Sequence, residues 1–181
     1  MLTTDRIILR QWRSEDREPF AAINADPEVM RFFDQPRTCA ESDATADRLE
    51  AHIDEHGFGF WAAELRETGE FVGFVGVEYV PPELSFSPAV EIGWRIDKRF
   101  WGKGLAPEGA RACLLFAFSK LQLDEVVSFT AELNTPSIRV MEKIGMIRDK
   151  FGDFEHPAVP EGHPIRPHVL YRIGSNDPIL L

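Results

Sequence analysis

Two glycines one residue apart, Gly102 and Gly104, stand between an alternating apolar run and a helical one. Val90, Ile92, Trp94 and Ile96 alternate with Glu91, Gly93 and Arg95, which is the period of a strand. Beyond Arg99 the period changes. Ala110, Cys113, Leu114, Ala117, Phe118 and Leu121 recur at helical spacing, and Pro107 suits the first helical position, where its missing N–H costs nothing. Glycines at such a junction allow positive φ and a close backbone approach to a ligand. The helix start adds unpaired N–H groups and the positive end of a dipole, so this bend is a place for a phosphate. It is not a Walker loop, because Gly-Lys-Ser/Thr after four intervening residues is absent. Nor is it the dinucleotide fingerprint, since Pro107 stands where the third glycine belongs.

Acid–base chemistry has one candidate in the same stretch. Glu91 is a carboxylate in an otherwise apolar strand, where burial would raise its pKa towards the working range of a general base. The competing reading is a solvent-facing residue, or one paired with Arg95 on the same strand face. Glu78, late in an earlier strand, is the reserve candidate. Asn134-Thr135-Pro136-Ser137 reads as a helix opening, with Asn134 or Ser137 available to cap it or to meet a ligand. His52 and His56 lie four apart on one helix face, but no glutamate follows the first histidine and no third ligand is evident. They read as solvated surface histidines, and no metal is expected.

The remaining segments must position these residues. A short strand at 6–10 leads to a helix from Ser14 to about Asn24, a second short helix opened by Asp26-Pro27-Glu28, and a third running from Thr38 to His56 and stopped by Gly57. Strands follow at 58–63 and 71–80 around a turn at 66–69, with Gly73 and Gly76 marking a bulge or close backbone approach. After the central strand and its helix come a strand at 125–131, a helix from Asn134 to Gly145, and strands near 146–151 and 169–173. The stretch 152–167 reads as a loop. One α+β domain over residues 1–181 is the economical assignment. The chain carries 20 Lys and Arg against 30 Asp and Glu, a net charge of −10. That balance argues against a nucleic-acid binder and suits amine partners. No apolar run approaches the ~20 residues of a membrane span. Cys39 and Cys113 are too few for a disulfide framework, and a cytoplasmic setting is expected.

The run Arg99-x-x-Gly102-x-Gly104-Leu105-Ala106 resembles motif A of the GNAT superfamily of acetyl-CoA-dependent N-acetyltransferases. Asn134-x-x-Ser137-x-x-Val140-x-Glu142-Lys143-x-Gly145-Met146 is similar to motif B of its RimJ/RimL-like branch, named for ribosomal-protein N-terminal acetyltransferases. Leu2-x-Thr4-x-Arg6-Ile7-x-Leu9-Arg10 and Glu91-Ile92-Gly93-Trp94 are similar to that branch's opening and central strands. The resemblance covers essentially the whole chain. It implies a GNAT fold: a mixed, mostly antiparallel sheet of about six or seven strands, splayed between the fourth and fifth and flanked by helices. It also implies acetyl-CoA as cosubstrate, with no metal. The backbone of Trp94 and Ile96 would bind pantetheine. The amides of Gly102, Lys103, Gly104, Leu105 and Ala106 would bind pyrophosphate, with Arg99 close by. Asn134 would contact the pantetheine arm, Ser137 would hydrogen-bond the departing sulfur, and Glu91 would act as base. Many members place a tyrosine acid where this chain has Met141, a residue that cannot donate a proton, so either Ser137 takes over that part or the thiolate leaves unassisted into water. The acceptor is expected to be a protein N-terminal amine or a small amino metabolite. A non-catalytic acyl-CoA sensor is the alternative, and a homodimer is compatible with either. The acceptor cleft is expected between residues 30–34, 81–88 and 152–167, with Phe32, Phe33, Phe86, Phe151 and Phe154 either lining it or belonging to the core.

Overall fold

The computed structural model describes residues 1–179. Nine strands form one sheet: β1 (Leu2–Thr3), β2 (Ile7–Arg10), β3 (Phe60–Leu65), β4 (Phe71–Tyr79), β5 (Val90–Ile96), β6 (Glu125–Ala131), β7 (Ile147–Arg148), β8 (Phe154–Glu155) and β9 (Pro167–Gly174). The helices are α1 (Arg17–Ala25), α2 (Cys39–His56), α3 (Leu105–Ser119) and α4 (Thr135–Lys143). The strand order is β1-β2-β3-β4-β5-β6-β9-β7, with β8 also on β9, and every pair is antiparallel except β5–β6. Nine strands replace the six or seven expected. The additional two are the two-residue strands β1 and β8, which are too short to show an alternation in sequence, while the strand expected near 146–151 is present as β7, reduced to Ile147–Arg148.

β4 is buried from Phe71 to Glu78 because both faces of the sheet are covered there. On one face Phe20 of α1 meets the Phe74 ring edge-on at 6.1 Å. On the other, Gly109 of α3 comes so close to Ile7 and Val75 that an added Cβ would lie 2.9 Å from Ile7 Cδ1. Gly73 and Gly76 of β4 are required by similar proximity. A Cβ at either would stand 2.0 Å from a backbone oxygen, of Arg95 and Gly59 respectively, and Gly73 also has φ of +131°.

α2 opens on a reciprocal capping box between Thr38 and Glu41 and closes on Gly57 at φ +75°. The helix expected after Asp26 does not form. Residues 27–35 are turns instead, with Glu28 N bound by the Asp26 carboxylate. The apolar residues of that segment divide: Val29 and Met30 enter the core, while Phe32 and Phe33 line a cavity. Such a split cannot be served by one helix face. Among the described residues no helix is long and apolar enough to cross a membrane.

Candidate active site

β5 and β6 run side by side but pair only at Glu91 and Val127, and beyond that point they diverge. Ser128 Oγ donates to Ile92 O at 2.8 Å and closes the narrow end of the gap. Asp97 N donates to Val72 O, so the odd residues of β5 turn their main-chain groups towards β4. The even residues, Trp94 and Ile96, therefore turn theirs into the gap. Ile96 O accepts a hydrogen bond from Trp101 Nε1 at 2.7 Å. Trp101 was not anticipated from sequence, because an aromatic residue in a glycine loop carries no pattern of its own.

The gap leads to the bend at 102–106. Gly102 and Gly104 have φ of +74° and +79°, and Gly104 is the N-cap of α3. Pro107 is thus the third helical residue rather than the first, still within the turn whose N–H groups lack intrahelical partners. Among the described residues, none of the amides of Gly102, Lys103, Gly104, Leu105 and Ala106 donates a hydrogen bond. Five consecutive free N–H groups at the start of a 15-residue helix fit a diphosphate. The bend is held from outside by the first strands. Arg6 donates to Lys103 O at 2.7 Å and to the Glu108 carboxylate at 2.6 Å, and Thr4 Oγ1 donates to the same carboxylate. Arg99 is outside the cavity lining, its guanidinium bound by Asp97 and Glu70. The Lys103 ammonium lies 4.9 Å over the Phe100 ring.

A cavity of about 690 Å³ runs from this bend through the gap to the α1–α2 side of the sheet. Glu91 lines it. The carboxyl has no hydrogen-bond or ion-pair partner among the described residues, and Arg95 on the same strand face is bonded to Asn24 instead. Neither a solvent-facing nor an Arg95-paired Glu91 is found. Burial and then the charge of Glu78, directly opposite on β4, push the Glu91 carboxyl up to about 8 against the opposing pull of Arg48. Glu78 is buried, ion-paired with Arg48, and 3.5 Å from His52 Nδ1. His52 departs from expectation: its ring packs among His56, Phe58 and Tyr79, its Nε2 is buried without a partner, and burial lowers its pKa. His56 is exposed. Among the described residues no group of three or more His, Cys, Asp or Glu could hold a metal ion.

Across the gap, α4 presents its first turn. Asn134 Oδ1 caps the helix by accepting from Ser137 N, while its Nδ2 donates to Thr130 Oγ1 at 2.8 Å. Ser137 and Met141 line the cavity below it. Residues 28–34 and 156–165, two of the three segments expected around a cleft, line the cavity. The 81–88 segment is not a wall. Its Leu84 and Phe86 pack against Val127, Leu170, Phe129 and Phe154. Phe32 and Phe33 line the cavity, Phe151 is fully exposed, His156 lines it from the expected 152–167 segment, and Phe129 and His168 line it without having been anticipated. Burial holds the His168 imidazole down at about 4, so it is neutral at pH 7.

Residues 6–147 match the family model described as an acetyltransferase (GNAT) domain. The chain is 35% identical over 146 residues to the uncharacterized protein YkkB of Bacillus subtilis, covering 80% of this chain and 84% of that one. It is 32% identical over 172 residues to the FsC-acetyl coenzyme A-N(2)-transacetylase of Aspergillus fumigatus, covering 89% and 72%. The crystal structure of a GNAT-family acetyltransferase from Bacillus anthracis superposes with a TM-score of 0.79 at 25% identity, over 96% of this chain and 98% of that one. With the splayed strands, the free amides and these matches in agreement, the chain belongs to the GNAT family of acetyltransferases.

Proposed function

We propose that this protein moves an acetyl group from acetyl-CoA to a primary amine, a protein N-terminal α-amine or a small amino metabolite, by direct attack in a ternary complex. One observation carries the reading. The cavity that follows the gap between β5 and β6 has five free amides where the strands are apart and the unpartnered carboxyl of Glu91 where they meet. The name of the Aspergillus fumigatus relative, which pairs acetyl coenzyme A with an N(2) acceptor, supports it. The similarity of 134–146 and of the opening strand to the RimJ/RimL-like branch favours that subgroup. Unpaired Cys39 and Cys113 suit the reducing cytoplasm.

Acetyl-CoA, when bound, supplies an activated acetyl thioester. The amides of Gly102, Lys103, Gly104, Leu105 and Ala106 hold the pyrophosphate, and the main chain of Trp94 and Ile96 holds the pantetheine arm beside Asn134. Arg99 would have to leave Asp97 and Glu70 to assist. Holding donor and acceptor in register contributes most, because effective molarities reach ~10⁵ M or more. The amine nitrogen then attacks the thioester carbonyl carbon and the carbon–sulfur bond breaks. Glu91 receives the amine's proton, directly or through a water. Ser137 Oγ donates a hydrogen bond to the departing sulfur, in place of a tyrosine at Met141. Free-thiol release from acetyl-CoA across peptide N-termini, amino acids, polyamines and aminoglycosides tests the proposal. Turnover with an amine is expected, and CoA binding without turnover across the panel would reject it in favour of a sensor.

A further inference from the structure

We infer that the acceptor carries a carboxylate remote from its reacting amine, and that Arg95 is the residue that receives it. The inference rests on the acetyl-transfer reading above. Arg95 lines the cavity on the same face of β5 as Glu91, four residues further on. Its Nη1 donates to Asn24 Oδ1 at 2.6 Å, a neutral amide whose own Nδ2 is fixed by Ser42 Oγ at 2.8 Å. The guanidinium lies 4.3 Å from the Phe33 ring centre and 5.5 Å from that of Phe74. Nε is buried with no hydrogen-bond partner, and among the described residues Arg95 belongs to no ion pair.

This treatment is unusual within the same molecule. The other enclosed arginine, Arg10, is bidentate to Asp16 and also bound to Glu64. Arg31 and Arg139 also line the cavity outside any ion pair among the described residues, but both are exposed to water; Arg95 is the enclosed one left without a carboxylate. A desolvated guanidinium is costly unless it is paired. Burial and the neighbouring Arg37 lower the Arg95 pKa only to about 10, so it stays charged at pH 7. Asn24 occupies Nη1, which leaves the Nε–Nη2 edge, a donor pair whose spacing matches two carboxylate oxygens. Phe33, an exposed ring at 38%, is what would yield to admit them.

The trough between the two charged residues has a defined length. Four strand residues span roughly 13 Å at ~3.3 Å each. Midway, Gly93 has no side chain, and the Phe60 ring lies 3.0 Å from where its Cβ would be. The floor is therefore apolar, with the base at one end and the cation at the other. An acceptor suited to it has an apolar spacer between amine and carboxylate, longer than the single carbon of an α-amino acid. The free Nε–Nη2 edge offers the two parallel donors that a planar carboxylate uses.

The test compares 6-aminohexanoate, its carboxamide, 6-aminohexyl phosphate and glycine as acceptors for the full chain with acetyl-CoA. The expected kcat/KM for 6-aminohexanoate exceeds those for the carboxamide and for glycine by roughly tenfold or more, the scale of a hydrogen-bonded charge. In Arg95→Gln that preference over the carboxamide collapses towards one, and Arg95→Lys restores part of it. CoA affinity of the same variants, measured by calorimetry, reports whether they still fold. An equal kcat/KM for acid and carboxamide in the wild type, or a preference that survives Arg95→Gln, overturns the inference while leaving acetyl transfer intact. A phosphate preferred tenfold over the carboxylate overturns the carboxylate assignment. Turnover of no amine at all overturns both readings.

Discussion

Glu91 and Glu78 face one another across β4 and β5, yet their surroundings divide them into two roles. Arg48 pairs with Glu78, while Glu91 meets only burial and its neighbour's charge. A general base must be deprotonated to act, so kcat/KM should rise with pH through about 8 and level off above it. Glu91→Gln should lower the rate by roughly 10²–10⁴. Glu78→Gln removes the like charge and leaves Arg48 unopposed, and both changes favour the ionised Glu91. The acid limb should therefore move below 8; a limb that stays in place would show that another group is the base. The same shift has a stability consequence of fixed sign. Between about 4.5 and 8 the folded chain keeps a proton on Glu91 that the unfolded chain has released, so this residue makes stability fall as pH rises across that window. Denaturant titrations at several pH values should give a flatter profile for Glu91→Gln.

At the scale of elements, the bend before α3 and the glycines of β4 make opposite demands on substitution. Around Gly104 the nearest atom to an added Cβ is Arg6 Nη2 at 3.5 Å, so the chain has room, but φ of +79° disfavours any side chain. Gly104→Val should therefore fold with a loss of about 1–2 kcal/mol and fail to bind CoA, because the valine covers the amides. Calorimetric titration with CoA reads this directly, and unchanged affinity would remove the bend from the coenzyme site. Gly73→Ala, by contrast, drives a methyl to 2.0 Å from Arg95 O at φ of +131°, and should cost about 2–5 kcal/mol by thermal denaturation. The bend was legible because glycine spacing at a strand-to-helix change states a backbone requirement. β5 was legible for the same kind of reason, since its alternation states which face is buried. Arg99 shows where such reading stops: a motif places its backbone, but Asp97 and Glu70 decide where its guanidinium points. Trp101, Phe129 and His168 join the cavity through tertiary contacts that carry no local period. The isolation of Arg95 is likewise invisible in sequence, where Glu91 on the same strand face looks like its partner.

Over the whole molecule, the divergence of β5 and β6 divides the sheet into β1–β5 and β6–β9. The two parts are joined within the sheet by the Glu91–Val127 pair and the Ser128–Ile92 hydrogen bond. Side-chain packing connects them further, with Leu105 of α3 and Met141 of α4 in the same core as Val126 and Ile92, and Arg111 of α3 donates to Lys143 O of α4. A ligand lying in the gap would add main-chain hydrogen bonds to β5 at the point where the sheet supplies none. CoA at a hundred times its Kd should stabilise the fold by about 2.7 kcal/mol. For a domain of this size that corresponds to a rise in Tm of roughly 5–11 °C. Where the stabilisation appears is more diagnostic than its size. Hydrogen exchange of the Trp94 and Ile96 amides and of the 102–106 amides should slow on adding CoA, while the Ile7–Arg10 edge of the sheet changes only through global stability. Slowing confined to α2 or β9, with the gap-facing amides unaffected, would place the coenzyme elsewhere. Gly104→Val should show neither the thermal shift nor the local protection, which ties both effects to the one bend.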